Sequence, residues 1–210
     1  MANVTAHKRF IVGVIFVLLT AMQVAGQNFT ELQDAFSESY RYEAQKDYSR
    51  AISVLTEVYQ SESYELNIRL GWLNYLAGMY PESVAYYKKA VELKPFSVEA
   101  KLGYTYPLSM LGNVNEIKIQ YEKILEITPM NTVAHYNLGM IEYNAADYPS
   151  ALKHFEKVVN LYPFDYDGTI MFAWTHFKLG KLREAEILFN KALLIKPGDE
   201  SALEGLELVK

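Results

Sequence analysis

The chain of 210 residues contains no cysteine, which excludes disulfide bridges, thiolate metal ligands and a cysteine nucleophile. Histidine is nearly as scarce. The three beyond the N-terminus, His135, His154 and His176, are separated by 19 and 22 residues, match no metal-ligand spacing and are expected to be packing or surface residues. Basic residues are outnumbered by acidic ones, giving a formal charge of −5. An acidic surface does not favour phosphate backbones or anionic membranes, so no nucleic-acid partner is expected. Gly/Ser-rich runs are absent and half of the residues are hydrophobic, so the chain can bury a continuous core.

No long apolar run interrupts this pattern except at the N-terminus. There, His7-Lys8-Arg9 precedes ten apolar or glycine residues, Phe10 to Leu19, followed by Val24-Ala25-Gly26. Ten residues fall short of the roughly 20 that span a hydrocarbon core. The layout predicts a cleavable secretory signal over 1–26, cut after Gly26, and an exported product, periplasmic or secreted if the host is bacterial. Loss of Lys8 and Arg9 would move the charge from −5 to −7. No cysteine follows the run, so no lipid anchor of the bacterial type is expected. The sequons at Asn3 and Asn28 matter only in a glycosylating pathway.

Prolines number only seven, yet four are placed with regularity: Pro95, Pro129, Pro163 and Pro197, each 34 residues beyond the last. A fixed period of this length marks a supersecondary unit copied along the chain. Within a period the apolar spacing is helical, as in Ile68, Trp72, Tyr75 and Leu76, and then again in Val84, Tyr87, Ala90 and Val91. Between these stripes Gly78 supplies a helix stop and Pro81 a helix start, so each period reads as a helical hairpin.

Other columns keep the same register. Small residues recur as Gly71, Gly139 and Ala173; turn residues as Lys46, Gly78, Gly112, Ala146 and Gly180; small second-helix residues as Ala51, Ser83, Ala151 and Ala185; and large partners as Leu55, Tyr87, Tyr121, Phe155 and Phe189. This pattern resembles the tetratricopeptide repeat family. The resemblance implies an all-α, right-handed superhelical solenoid: an N-terminal segment 27–31, then five repeats at 32–63, 64–97, 98–131, 132–165 and 166–197. A capping helix over 198–210 is expected from Ala202, Leu203, Leu206 and Val209. The first repeat departs from the pattern at Ser39 and Ser63, and the third at Thr105, Ile117 and Pro107. Pro107 cannot donate to the Gly103 carbonyl, which predicts a kink in the third repeat's first helix.

In this family the first helices line a concave face that takes a peptide or a partner's helix. Carried onto this sequence, the groove would use Phe36, Trp72, Tyr75, Tyr106, Met110, Tyr136, Tyr143, Asn144, Trp174, Phe177 and Lys178. Leu102 and Met140 belong to the same inward columns. Rows of Tyr and Trp bury large area at low entropic cost, which suits a protein-binding adaptor without catalysis or cofactor. The same rings also fit core packing between neighbouring first helices, and the spacing leaves both roles open. Glycan is the alternative ligand, with Glu65, Glu99 and Asp167 as polar partners, although first-turn acids serve the helix dipole regardless. Asp165-Tyr166-Asp167-Gly168 lacks the remaining ligands of a calcium loop and is expected to cap a helix.

Overall fold

Helix starts recur because a short polar side chain stands at one position of each period. Ser63, Ser97, Asn131, Asp165 and Asp199 each accept a hydrogen bond from the backbone N–H three residues on, at Leu66, Ala100, Ala134, Gly168 and Ala202. These caps satisfy donors that the first helical turn leaves free. The computed structural model describes residues 29–210, so the secretory signal, its cut after Gly26 and both sequon asparagines lie outside the described residues.

Every regular element among the described residues is a helix. Helix α1 covers residues 29–44. It is followed by α2 (Tyr48–Glu57), α3 (Tyr64–Leu76), α4 (Tyr80–Leu93), α5 (Val98–Met110) and α6 (Val114–Ile127). Then come α7 (Thr132–Asn144), α8 (Tyr148–Leu161), α9 (Tyr166–Lys178), α10 (Leu182–Ile195) and α11 (Glu200–Leu208). Two units divide between Leu93 and Lys94.

The turn inside each hairpin is the same device five times. Lys46, Gly78, Gly112, Ala146 and Gly180 have φ of 58°, 76°, 68°, 60° and 73°, the left-handed region. Each turn carries the paired bonds of a Schellman stop; in the second hairpin Gly78 N–H donates to Tyr75 O at 3.0 Å and Met79 N–H to Asn74 O at 2.8 Å. Lys46 and Ala146 therefore hold a backbone shape that costs an L-residue about 1–2 kcal/mol.

In the first unit, α1 to α4 enclose Ala51, Leu55, Leu66, Leu70 and Leu73, with Phe36 packed against this cluster. Gly71 lets α3 meet α4: a Cβ there would lie 2.9 Å from the Tyr87 ring. Ser39, at the same column of the first hairpin, is fully buried and accepts a hydrogen bond from Arg69 Nε at 3.1 Å. Arg69 also pairs with Glu43 at 2.5 Å and lies over the Tyr40 ring. A buried guanidinium is costly unless its charge is met, and here carboxylate, hydroxyl and ring meet it.

In the second unit the crossing of α7 and α8 repeats the close approach, with a Cβ at Gly139 placed 2.8 Å from Phe155. Helix α11 covers the end: Ala202, Leu206 and Val209 join the cluster of Ile170, Ala173, Ala185 and Phe189. Asp199 fixes its start by accepting from Ala202 N–H at 3.1 Å and pairing with Lys196 at 2.8 Å. Helix α5 runs unbroken from Val98 through Pro107 to Met110. The Thr105 hydroxyl donates to Leu102 O at 2.7 Å, and Gly103, whose carbonyl loses its Pro107 donor, is buried.

Candidate functional site

The third hairpin carries the bulkiest pair of side chains where its helices cross. Where the other first helices place Ser39, Gly71, Gly139 and Ala173, α5 has Thr105; where the other second helices bury Ala51, Ser83, Ala151 and Ala185 completely, α6 has a half-buried Ile117. Extra bulk at both positions of one crossing holds the helices apart, because packed interiors do not compress to absorb it. A crevice of about 570 Å³ opens there, walled by α5, α6 and α7.

Its α5 wall is Leu102, Thr105, Tyr106 and Ser109; its α6 wall is Val114, Ile117 and Tyr121; its α7 wall is Val133, Asn137, Met140, Ile141 and Asn144. The Tyr121 hydroxyl donates to Thr105 Oγ1 at 3.4 Å, one of several uncharged polar groups in a mixed lining. Burial pushes the Tyr121 phenol above its ordinary pKa. Asn137 Nδ2 donates to Val133 O at 2.8 Å. No Asp, Glu, Lys, Arg or His lines this crevice.

A second crevice of about 200 Å³ lies on the other flank of α7, against α8 and α9. Val133 and Asn137 line both, so only the ridge of α7 separates them. The smaller one adds Thr132, Tyr136, Val158, Tyr162, Asp165 and Asp167. Burial raises the Tyr136 pKa, and the carboxylates of Asp167 and Asp165 raise it further.

The expected groove residues are distributed unevenly. Tyr106 and Asn144 meet in the larger crevice, together with Leu102 and Met140, and Tyr136 lines the smaller. Met110 is exposed at the end of α5 and Tyr143 lies edge-on to Tyr148 at 5.3 Å. Trp174 is held within the second unit: its Nε1 donates to Ser201 Oγ at 2.9 Å, and its ring packs edge-on against Phe189 and Phe177. Lys178 sits 6.0 Å from the Phe177 ring centre. In the first unit, Trp72 Nε1 donates to Glu43 Oε1 at 2.8 Å and its ring leans on Tyr75, while Phe36 packs on the core. Of the three carboxylates considered for a sugar, Asp167 lines the smaller crevice; Glu65 and Glu99 line neither.

Sequence reasoning did not select Val114, Ser109 or Asn137 as lining residues. The signal was nevertheless present in Thr105 and Ile117, the two breaks in the small-residue columns. Nor did it pair His135 with His154, whose Nδ1 atoms lie 2.8 Å apart across α7 and α8. His135 Nε2 is 2.9 Å from the Pro129 carbonyl, which can only accept. Neutral His135 therefore donates from Nε2 and accepts at Nδ1, leaving His154 to donate across the pair. His154 is held at a pKa of about 4, by burial first and by the neighbouring His135 second. Its Nε2 lies 3.6 Å from Glu142 Oε2, a buried oxygen without a hydrogen-bond partner. Among the described residues no group of three or more His, Cys, Asp or Glu is arranged to hold a metal ion.

Tandem helical hairpins stopped by left-handed turns, crossed at small residues and closed by proline define a helical repeat protein, and the chain belongs to the tetratricopeptide repeat family. Family models of that description match residues 36–98, 133–165 and 170–199. Among curated proteins it is similar to the TPR repeat-containing protein YpiA of Bacillus subtilis (strain 168), with 26% identity over 169 residues. That match covers 79% of this chain and 40% of YpiA, so the chain spans well under half of its relative's length. Among solved structures, a tetratricopeptide repeat protein from Parabacteroides merdae ATCC 43184 has a TM-score of 0.75 at 19% identity, covering 85% of this chain and 72% of that one. YrrB, described as a TPR protein with an unusual peptide-binding site, has a TM-score of 0.72 at 17% identity, covering 89% and 97%. MamA from Desulfovibrio magneticus RS-1 has a TM-score of 0.70 at 16% identity, covering 81% and 97%. At these identities the likeness is one of fold.

Proposed function

We propose that this protein is a non-catalytic adaptor that binds an extended segment of a partner protein in the crevices flanking α7. The larger crevice carries this reading. Three helices wall it, its lining mixes apolar side chains with amides and hydroxyls, and its volume suits a bulky side chain with the adjoining backbone. Asn137 and Asn144, two helical turns apart on one face of α7, offer amides to an extended chain. Peptide binding by a protein of the same fold, as YrrB is described, is in keeping with this assignment. The N-terminal layout of His7-Lys8-Arg9, Phe10 to Leu19 and Val24-Ala25-Gly26 supports an exported adaptor.

The test plugs the crevice from its rim. Ser109 is exposed on α5, so Ser109→Trp places an indole in the space without disturbing buried groups. Dodecapeptides selected on the unaltered chain should lose binding to this variant while its melting temperature stays unchanged. Unchanged peptide affinity, or saturable binding of oligosaccharides alone, would overturn the assignment.

A further inference from the structure

The two crevices share Val133 and Asn137 but differ in charge. The larger one has no Asp, Glu, Lys, Arg or His in its lining, whereas the smaller one presents Asp165 and Asp167 beside Tyr136 and Tyr162. Asp165 spends one oxygen on its own helix, accepting from Gly168 N–H at 2.6 Å. Asp167 is exposed in the first turn of α9, and neither carboxylate has an ion-pair partner among the described residues. Lys196, the cation within electrostatic reach of Asp167, is already paired with Asp199 at 2.8 Å. Two carboxylates beside two phenol rings form a receptor for a cation, because the rings attract positive charge through their faces and the acids attract it directly.

Resting on the groove reading above, we infer that the partner segment is basic: it places a large apolar side chain in the larger crevice and a Lys or Arg side chain in the smaller. The spacing follows from geometry. Crevices on opposite flanks of one helix lie about 10 Å apart, the thickness of a packed helix. An extended chain covers about 3.3 Å per residue, so the two anchors stand about three residues apart. The excess of acid over base, −5 over the whole chain, acts in the same direction by drawing basic segments towards the surface.

The experiment selects a random dodecapeptide display library on the full chain, then measures the best peptide against Ser109→Trp and Asp167→Asn. Enriched sequences should carry Lys or Arg about three positions from a large apolar residue. Asp167→Asn should weaken the best peptide about two- to fivefold at low salt, the range of an exposed ion pair, and by nothing measurable at about 1 M salt. If the enriched peptides lack a cation, or Asp167→Asn leaves their affinity and salt dependence intact while Ser109→Trp abolishes binding, the basic-partner inference falls and the groove stands. If Ser109→Trp is also without effect, or no peptide is enriched, both readings fall.

Discussion

Ala146 and Gly180 occupy the same turn of consecutive hairpins with nearly the same φ, 60° and 73°, and both are exposed. A Cβ at Gly180 would meet nothing within 4 Å, so exchanging the two residue types alters backbone energetics and little else. Ala146→Gly relieves about 1–2 kcal/mol of left-handed strain. Against that stands about 0.4–1 kcal/mol from the greater freedom of glycine in the unfolded chain. The net is a stabilisation of about 0–1.6 kcal/mol, centred at about 0.8, and Gly180→Ala should lose a similar amount. For a chain of this size, 1 kcal/mol corresponds to about 2–4 °C in melting temperature. Thermal melts followed by circular dichroism should therefore rise by about 1–4 °C for the first variant and fall by as much for the second. Amide exchange offers a local check at Asp147, whose N–H donates to Glu142 O at 2.9 Å in the turn and should slow in Ala146→Gly. Movement of both melting temperatures in the same direction would refute the reasoning, since packing differences of equal sign would then outweigh the turn.

Three other outcomes are expected. His154 is depressed below its unfolded value of 6.5, so its contribution is complete above that pH and is lost as pH falls through 6.5 towards about 4. Protonation brings a cation beside His135, Lys118 and Lys153, with Glu142 the facing acid; His154→Gln should flatten the decline in urea stability between pH 7 and pH 5. Asp199→Ala removes the α11 cap, the Lys196 pair and the bond from Tyr166, costing about 2 kcal/mol from the cap and its partners. It should shift Trp174 emission to the red, because the indole loses its Ser201 partner when α11 lifts; an unshifted spectrum would mean that α11 does not depend on this cap. Pro107→Ala restores a donor for the Gly103 carbonyl and should stabilise by about 1 kcal/mol after the lost ring contacts are subtracted, as read from urea melts. A destabilised variant would show that the Pro107 ring packs better than its helix suffers.

The hairpin array was legible in the residues because its determinants act over a few positions. A polar side chain caps the N–H three residues on, a left-handed residue ends a helix within six, and glycine marks where a ring from the next helix must come close. Each signal repeats at the same column, so noise at one repeat is corrected by the others. Gly71 against Tyr87 and Gly139 against Phe155 are such cases.

What the tertiary structure decided is which partners the aromatic rings meet and where the array opens. Trp174 and Trp72 share the inward column with Tyr106, yet Ser201 lies 27 residues from Trp174 and Glu43 lies 29 from Trp72, and only folding brings those partners within reach. The crevice beside α7 arises from what two bulky residues, Thr105 and Ile117, prevent at a helix crossing. His135 and His154 meet through the same long-range docking. A linear chain specifies short-range bonds directly, but empty space and pairings across helices exist only as the balance of many contacts made at once, which is why both became visible in the packed molecule.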